Sequence, residues 1–249
     1  MLTCVTALYD IGREAIDGRS ILEYTSYLKK TLQSIKVPTI VFLDPTLKLK
    51  DAILLIDSSI IVLEIPFEET VMWQYKDRID TILKTVRHKN PRDITNRISG
   101  YCMIQYNKFD FLERAITINP FNSTQFCWID AGLSRFFDTS KQYTSRNIYS
   151  AKFHVQTSYS TIPQLLPDTY IGTNTCILKG GCWYMDTTSF RLVRDEVMRI
   201  WNKEMMSMGR IDNEQIALAV AYQKIPDIFQ LCVSDDQIGK IFSEIFITI

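Results

Sequence analysis

Short apolar runs alternate with amphipathic stretches through the first half of the chain, and this alternation restricts the fold more than any other feature. Leu2–Leu8, Thr39–Leu43, Ile60–Ile65 and Phe126–Ile129 are predominantly apolar runs of strand length. Between them, Ser20 can N-cap a helix to about Ile35 that places Ile21, Tyr24, Leu28, Leu32 and Ile35 on one face. Ala52–Ile56 reads as a short helix. Glu68–Val86 carries Val71, Tyr75, Ile79, Ile82 and Val86 at helical spacing. Tyr101–Ile118 reads as a helix ended by Asn119-Pro120. Strands that return through helices run parallel, so the pattern predicts an α/β fold with a mostly parallel, Rossmann-like sheet and helices on both faces.

The second half is mixed. Phe136–Ser150 is polar and aromatic and is expected to contain a mobile loop. Lys152–Thr157 alternates like a strand, and Cys176–Leu178 reads as a short strand opening into Lys179-Gly180-Gly181. A long helix is expected over Thr187–Met208, another from Ile211–Gln215 to about Tyr222, and a last strand over Ile228–Val233. The apolar tail Ile241–Ile249 is expected to pack down. With no repeat or linker in 249 residues, one domain is the simplest organisation.

Lys plus Arg equals Asp plus Glu at 28 each, so the chain has no global basic field and no nucleic-acid partner is expected. Six cysteines are scattered without pairing motifs and only two histidines, His88 and His154, accompany them. That distribution suits a reducing compartment better than a zinc site. The N-terminus shows no basic segment or cleavage site, and no run approaches bilayer length, so a cytoplasmic protein without a transmembrane segment is expected.

Within this frame, Trp128-Ile-Asp-Ala-Gly132 delivers one acid, Asp130, to the carboxyl edge of a buried strand, where ligands of open α/β sheets sit. Ala131 and Gly132 leave room for a bulky ligand. The same pattern also suits an ordinary Asp-containing turn. After the first strand, Tyr9, Asp10, Gly12 and Arg13 offer groups to stack a base, bond a ribose and meet a phosphate, although neither GxGxxG nor a P-loop is present. Lys108 can reach a diphosphate or be a solvated helix residue. A carboxylate facing a diphosphate calls for a divalent cation, Mn²⁺ or Mg²⁺, at Asp130. Gly180 and Gly181 permit backbone approach, and Trp183 offers a face on which sugars stack. Asp212 and Glu214 can take a proton as general base, or serve as N-cap and dipole partner of a helix.

Val5-Thr-Ala-Leu-Tyr-Asp-Ile-Gly-Arg13, Lys108, Asn119-Pro-Phe121 and Trp128-Ile-Asp-Ala-Gly132 occur in this order. With Gly180-Gly181 and Asn213-Glu-Gln215, they resemble the HtrL/YibB family (also called WlaTC/HtrL), glycosyltransferases linked to surface polysaccharide synthesis. The resemblance implies a GT-A-type domain over 1–249 that binds a nucleotide-diphosphate sugar in about 1–135 and an acceptor in about 136–249. It implies nucleoside contacts at Thr6, Tyr9, Asp10 and Arg13, with a UDP-sugar favoured as donor and a glycan or other hydroxyl compound as acceptor. Asp130 takes the first place of an Asp-x-Asp metal and diphosphate motif, but Gly132 stands where the second Asp would be. A non-catalytic nucleotide- or glycan-binding module on the same fold is the competing reading, and a sugar-phosphate nucleotidyltransferase ranks below it.

Overall fold

A computed structural model of the chain describes residues 1–86, 90–146, 149–165, 171, 173 and 176–249. The strands are β1 (Leu2–Leu8), β2 (Thr39–Leu43), β3 (Ile60–Glu64), β4 (Gln125–Ile129), β5 (Tyr143–Ser145), β6 (Phe153–Thr157), β7 (Leu178–Asp186), β8 (Phe229–Val233) and β9 (Phe246–Thr248). Among the described residues they form a seven-stranded sheet in the order β3-β2-β1-β4-β7-β6-β8 and a two-stranded sheet of β5 and β9. The strands β1 to β4 are parallel to one another, whereas β7 runs antiparallel to both β4 and β6, and β8 is parallel to β6. The sheet is therefore mixed and mostly parallel, as the alternation of strands and helices requires in the first half.

The helices are α1 (Glu14–Asp17), α2 (Ile21–Ser34), α3 (Lys50–Leu54), α4 (Lys76–Thr85), α5 (Ser99–Ile118), α6 (Thr187–Ile200), α7 (Glu214–Lys224) and α8 (Gly239–Ile245). One face of the large sheet carries α4, α5, α6 and α7 over a core that includes Phe109, Phe111, Trp183, Phe190 and Ile216. The opposite face carries α2 and α3 at one end, through Leu28, Leu32 and Ile53, and α8 at the other, through Ile241, Phe242 and Ile245. Both faces of β1 and β4 are thus covered, and every residue of β4 is buried. The predominantly apolar runs follow from that burial.

Local chemistry fixes the helix ends. Ser20 and Glu23 form a capping box at the start of α2. Asn119, in the left-handed conformation at φ 34°, ends α5 and accepts a hydrogen bond from the Ser123 backbone N–H at 2.7 Å. Asp186 caps α6. No helix among the described residues is long and apolar enough to cross a membrane.

Several boundaries differ from those the sequence suggests. Thr70 is extended (ψ 150°), so the stretch expected as one helix from Glu68 is two 3₁₀ turns, Phe67–Glu69 and Val71–Tyr75, followed by α4. The Met72 backbone N–H is satisfied across the core by Asn107 Oδ1 at 3.0 Å. The long helix expected to Met208 is α-helical only to Ile200 and continues as a π-helical turn, Trp201–Met206, in which Trp201, Met205 and Met206 are all buried. The short strand expected over Cys176–Leu178 begins at Leu178 and runs on through Lys179, Gly180 and Gly181 as the first part of β7. The stretch 136–150, expected to contain a mobile loop, also contains β5, which pairs with β9, while its residues 147 and 148 lie outside the described residues, as does His88.

Candidate active site at the carboxyl ends of β1 and β4

Because β2 and β4 flank β1 on opposite sides, the chain leaves the sheet in opposite directions from β1 and β4. A crevice must open between the loops that follow them, and it opens at the carboxyl ends. A cleft of about 170 Å³ lies there. Its walls are the Tyr9–Arg13 loop after β1, the Trp128–Arg135 turn after β4, and Tyr101, Gln105 and Lys108 along one side of α5.

Asp130 is the only carboxylate lining the cleft among the described residues. Its backbone N–H donates to Gly181 O on the antiparallel neighbour β7 at 2.9 Å, and its carbonyl accepts from Leu133 N at 2.9 Å to close the turn. Side-chain Oδ1 accepts the indole N–H of Trp128 at 2.7 Å and faces the Lys108 ammonium at 3.0 Å. Those contacts occupy one carboxylate oxygen and leave Oδ2 for the cleft.

Lys108 is neither a solvated helix residue nor an unpaired cation awaiting a diphosphate. It is buried, and its Nζ meets Glu214 Oε1 at 2.7 Å, Gly180 O at 3.0 Å and Asp130 Oδ1 at 3.0 Å. An ammonium has three N–H donors, and three oxygens surround this one. The rings of Trp128 and Trp183 lie 5.7 and 5.4 Å away. Burial alone would lower the lysine pKa, but the two carboxylates outweigh it and hold the pKa above the usual lysine range. Lys108 therefore fixes Asp130 in place and offsets its charge.

Glu214 sits behind this pair, fully buried at the start of α7. Burial raises its pKa, Lys108 opposes that rise, and Oε2 has no hydrogen-bond partner among the described residues. A Cβ on residue 180 would lie 2.1 Å from Glu214 Oε1, so glycine at 180 is what admits the buried carboxylate. At Gly181 the nearest atom to a Cβ, Asp130 Oδ2, is 3.8 Å away, which is ordinary contact.

The first loop is only partly as expected. Tyr9 lines the cleft, but its ring stacks on Phe111 at 5.5 Å and packs against Phe67 at 5.4 Å, and its hydroxyl donates to Ile65 O at 3.1 Å. Arg13 also lines the cleft; it is ion-paired with Asp17, donates to Tyr24 Oη at 3.1 Å and lies over the Tyr101 ring at 4.8 Å. Asp10 is exposed, outside the cleft wall, and accepts from Gly12 N at 2.9 Å in a local turn. Thr6 is buried in β1.

Other expected roles are corrected by burial. Trp183 is 0% exposed, its indole N–H bonded to Lys179 O at 3.2 Å, and it offers no face to a sugar. Asp212 and Glu214 are both 0% exposed, so neither meets an acceptor hydroxyl as base. Nor is Asp212 the cap of α7. Asn213 takes that place, accepting from Ile216 N at 3.2 Å, while Asp212 accepts from Asn213 N at 2.7 Å.

Residues 1–246 match the model of HtrL_YibB, described as a bacterial protein of unknown function. The chain belongs to this family. No curated protein matches it. Among solved structures, the HtrL_YibB chain is similar to mouse xyloside xylosyltransferase 1, at 9% identity and a TM-score of 0.40 over 92% of this chain and 83% of that one. It is also similar to 4-diphosphocytidyl-2C-methyl-D-erythritol synthase from Anaerococcus prevotii, at 10% identity and a TM-score of 0.35 over 98% and 94%.

In this HtrL_YibB chain, the cleft also contains residues that the motifs did not single out: Arg19, Tyr24, Tyr101, Gln105 and Arg135. Tyr101, Gln105 and Lys108 are one turn apart on α5, so helical spacing counted back from Lys108 would have found the other two. Gln105 is 5% exposed, and its amide Oε1 has no hydrogen-bond partner among the described residues. Arg135 donates from Nε to Gly132 O at 2.9 Å and is exposed.

The protein itself builds little of a divalent-cation site at Asp130. Mg²⁺ and Mn²⁺ take six oxygens, of which one or two come from protein carboxylates and the rest from substrate phosphates and water. Asp130 has one oxygen to give, Glu214 is buried behind Lys108, and a Cβ at Gly132 would be 2.8 Å from Arg135 Nη2. A guanidinium therefore stands where a second acid would be. Away from the cleft, His154, Cys232 and Glu244 bring one ligand atom each within 4.8 Å of one another, a possible metal-binding triad. Cys232 Sγ there donates to Glu244 Oε2 at 3.1 Å.

Proposed function

We propose that this HtrL_YibB chain is a glycosyltransferase. It moves a hexose from a nucleotide-diphosphate sugar, a UDP-sugar in the first instance, to a hydroxyl acceptor in glycan or surface polysaccharide assembly. Residues 1–249 act as one GT-A-like domain, with the donor held mainly by about 1–135 and the acceptor by about 136–249. The observation that carries this reading is the cleft at the β1/β4 switch point, where one oriented carboxylate, Asp130, shares the walls with Arg13, Arg19 and Arg135. A diphosphate needs the cations, and a sugar hydroxyl needs the carboxylate.

In the transfer, the acceptor oxygen bonds to the anomeric carbon while the bond from that carbon to the diphosphate oxygen breaks. The diphosphate leaves with the bonding electron pair, and the arginines stabilise the charge that develops on it. The acceptor proton needs a base within reach. Asp130 Oδ2 takes that role in the proposal, in place of the buried Asp212 and Glu214. Lys108 and Trp128 hold Oδ1, so the carboxylate is positioned before substrate arrives. Gln105 Oε1, lacking a donor among the described residues, is assigned to a hydroxyl or N–H of the nucleoside.

The reading is tested by incubating the protein with a panel of nucleotide sugars and following release of nucleoside diphosphate. Release from at least one donor, abolished by Asp130→Ala, is expected. Absence of binding to every nucleotide sugar, together with indifference to that substitution, would sink the idea.

A further inference from the structure

We infer that the cleft holds the diphosphate of its nucleotide through the Arg135 guanidinium, without a divalent cation. This inference rests on the nucleotide-sugar reading of the same site.

Position 132 gives the first reason. In an Asp-x-Asp pair the second acid would project from that residue. Here a Cβ would meet Arg135 Nη2 at 2.8 Å and Nε at 3.2 Å. The space is filled by a cation, and the backbone holds it there, because Arg135 Nε donates to Gly132 O at 2.9 Å. The guanidinium carbon lies 5.7, 5.4 and 5.0 Å from the ring centroids of Tyr24, Tyr27 and Phe136. A planar group bonded on one side and flanked by rings loses little freedom when it binds an anion.

The second reason is the disposition of charge. Lys108 is surrounded by Asp130, Glu214 and Gly180, and Arg13 is paired with Asp17. Arg19 is exposed and 3.9 Å from the same Asp17. Arg135 has no carboxylate partner among the described residues. It is therefore the cation of the cleft that has no ion pair among the described residues, and its terminal nitrogens form the fork that matches phosphate oxygens.

The third reason concerns the metal itself. A cation on Asp130 Oδ2 would enter a cleft whose walls already hold Lys108 and Arg135, and it would find one protein oxygen. Lys108 is already offset by Asp130 and Glu214, so the repulsion that works against the cation comes from Arg135. The diphosphate meets the opposite balance.

The test is calorimetric titration of the intact protein with UDP, GDP, ADP, CDP and dTDP, and with the matching nucleosides, in EDTA and in Mn²⁺. At least one nucleoside diphosphate is expected to bind in EDTA within about threefold of its affinity in Mn²⁺. Arg135→Gln should weaken that binding by roughly tenfold or more, the worth of a charge-assisted hydrogen bond, and leave the nucleoside within about twofold. Arg135→Lys should recover only part of the loss, since it keeps the charge but not the fork. Arg135 is exposed, and unchanged thermal unfolding of each variant shows that the fold is intact. Binding that requires Mn²⁺, or an Arg135→Gln variant that binds as tightly as the parent, overturns the inference and leaves the nucleotide-sugar reading standing. Binding of no nucleoside diphosphate in either buffer overturns both.

Discussion

A Cβ on Gly180 would lie 2.1 Å from the Oε1 of Glu214, the oxygen that binds Lys108. Two residues far apart in sequence are thus tied together, and the glycine exists for the carboxylate. Gly180→Ala must displace a fully buried acid or shift β7. We expect a loss of about 3 kcal/mol, or roughly 6–12 °C in Tm for a chain of this size. Gly181→Ala, whose nearest contact is 3.8 Å, should leave Tm within about 2 °C. Equal effects of the two substitutions in thermal unfolding would contradict this account of Gly180.

Lys108 gives a pH-dependent prediction. Its folded pKa is raised above the usual lysine range by Asp130 and Glu214, against the effect of burial. A raised base contributes stability that is complete below its unfolded pKa and is lost as pH rises through the folded value. Lys108→Met leaves a buried carboxylate without its cation and should cost about 3–5 kcal/mol near neutral pH. In urea unfolding, the gap between parent and variant should stay constant up to about pH 10 and shrink above it. A gap that grows on the alkaline side would mean that Lys108 is not held charged.

Asp130 is the acid that the proposed transfer uses directly. Asp130→Asn keeps the size and can keep the Trp128 contact, so folding should survive. The transfer rate should fall by roughly 10²–10⁴, the usual worth of a positioned general base. Affinity for the nucleoside diphosphate should change far less than the rate. A variant that transfers sugar at the parental rate would move the base elsewhere.

Gly132→Asp restores the second acid of the Asp-x-Asp pattern and sets it against Arg135 Nη2, which is the flexible end of a side chain. The new carboxylate should pair with that guanidinium and take it from the ligand. Titration with the preferred nucleoside diphosphate in EDTA should show at least a roughly tenfold loss of affinity. Restoration of part of that affinity by Mn²⁺ is expected, since the site would then offer two carboxylates. Unchanged affinity in EDTA would show that Arg135 is not the anchor.

The frame of this site was legible in the chain, and its inner wiring was not. The apolar run ending at Trp128-Ile129-Asp130 marked a buried strand delivering an acid to the sheet edge, because burial on both faces leaves a plain hydrophobic signature. Lys108 stood out by type, but its spacing on α5 could not say that two carboxylates would converge on it across 22 and 106 residues. Glu214 and Asp212 looked like bases because a polar residue before a helix carries the same pattern whether it faces solvent or lies buried. Trp183 looked like a sugar platform beside two glycines until β7 proved to be an interior strand covered on both faces. Arg135 carried no motif at all. Its meaning comes from the turn that folds it back onto Gly132, a relation that exists only in three dimensions.

The central claim is that the crevice between the β1 and β4 loops holds a nucleoside diphosphate. The most direct measurement is a crystal structure of the protein soaked with UDP in EDTA. The account predicts density with its phosphates within hydrogen-bond distance of Arg135 and its nucleoside against Gln105. Well-ordered UDP bound elsewhere on the protein, with this cleft empty, would contradict it.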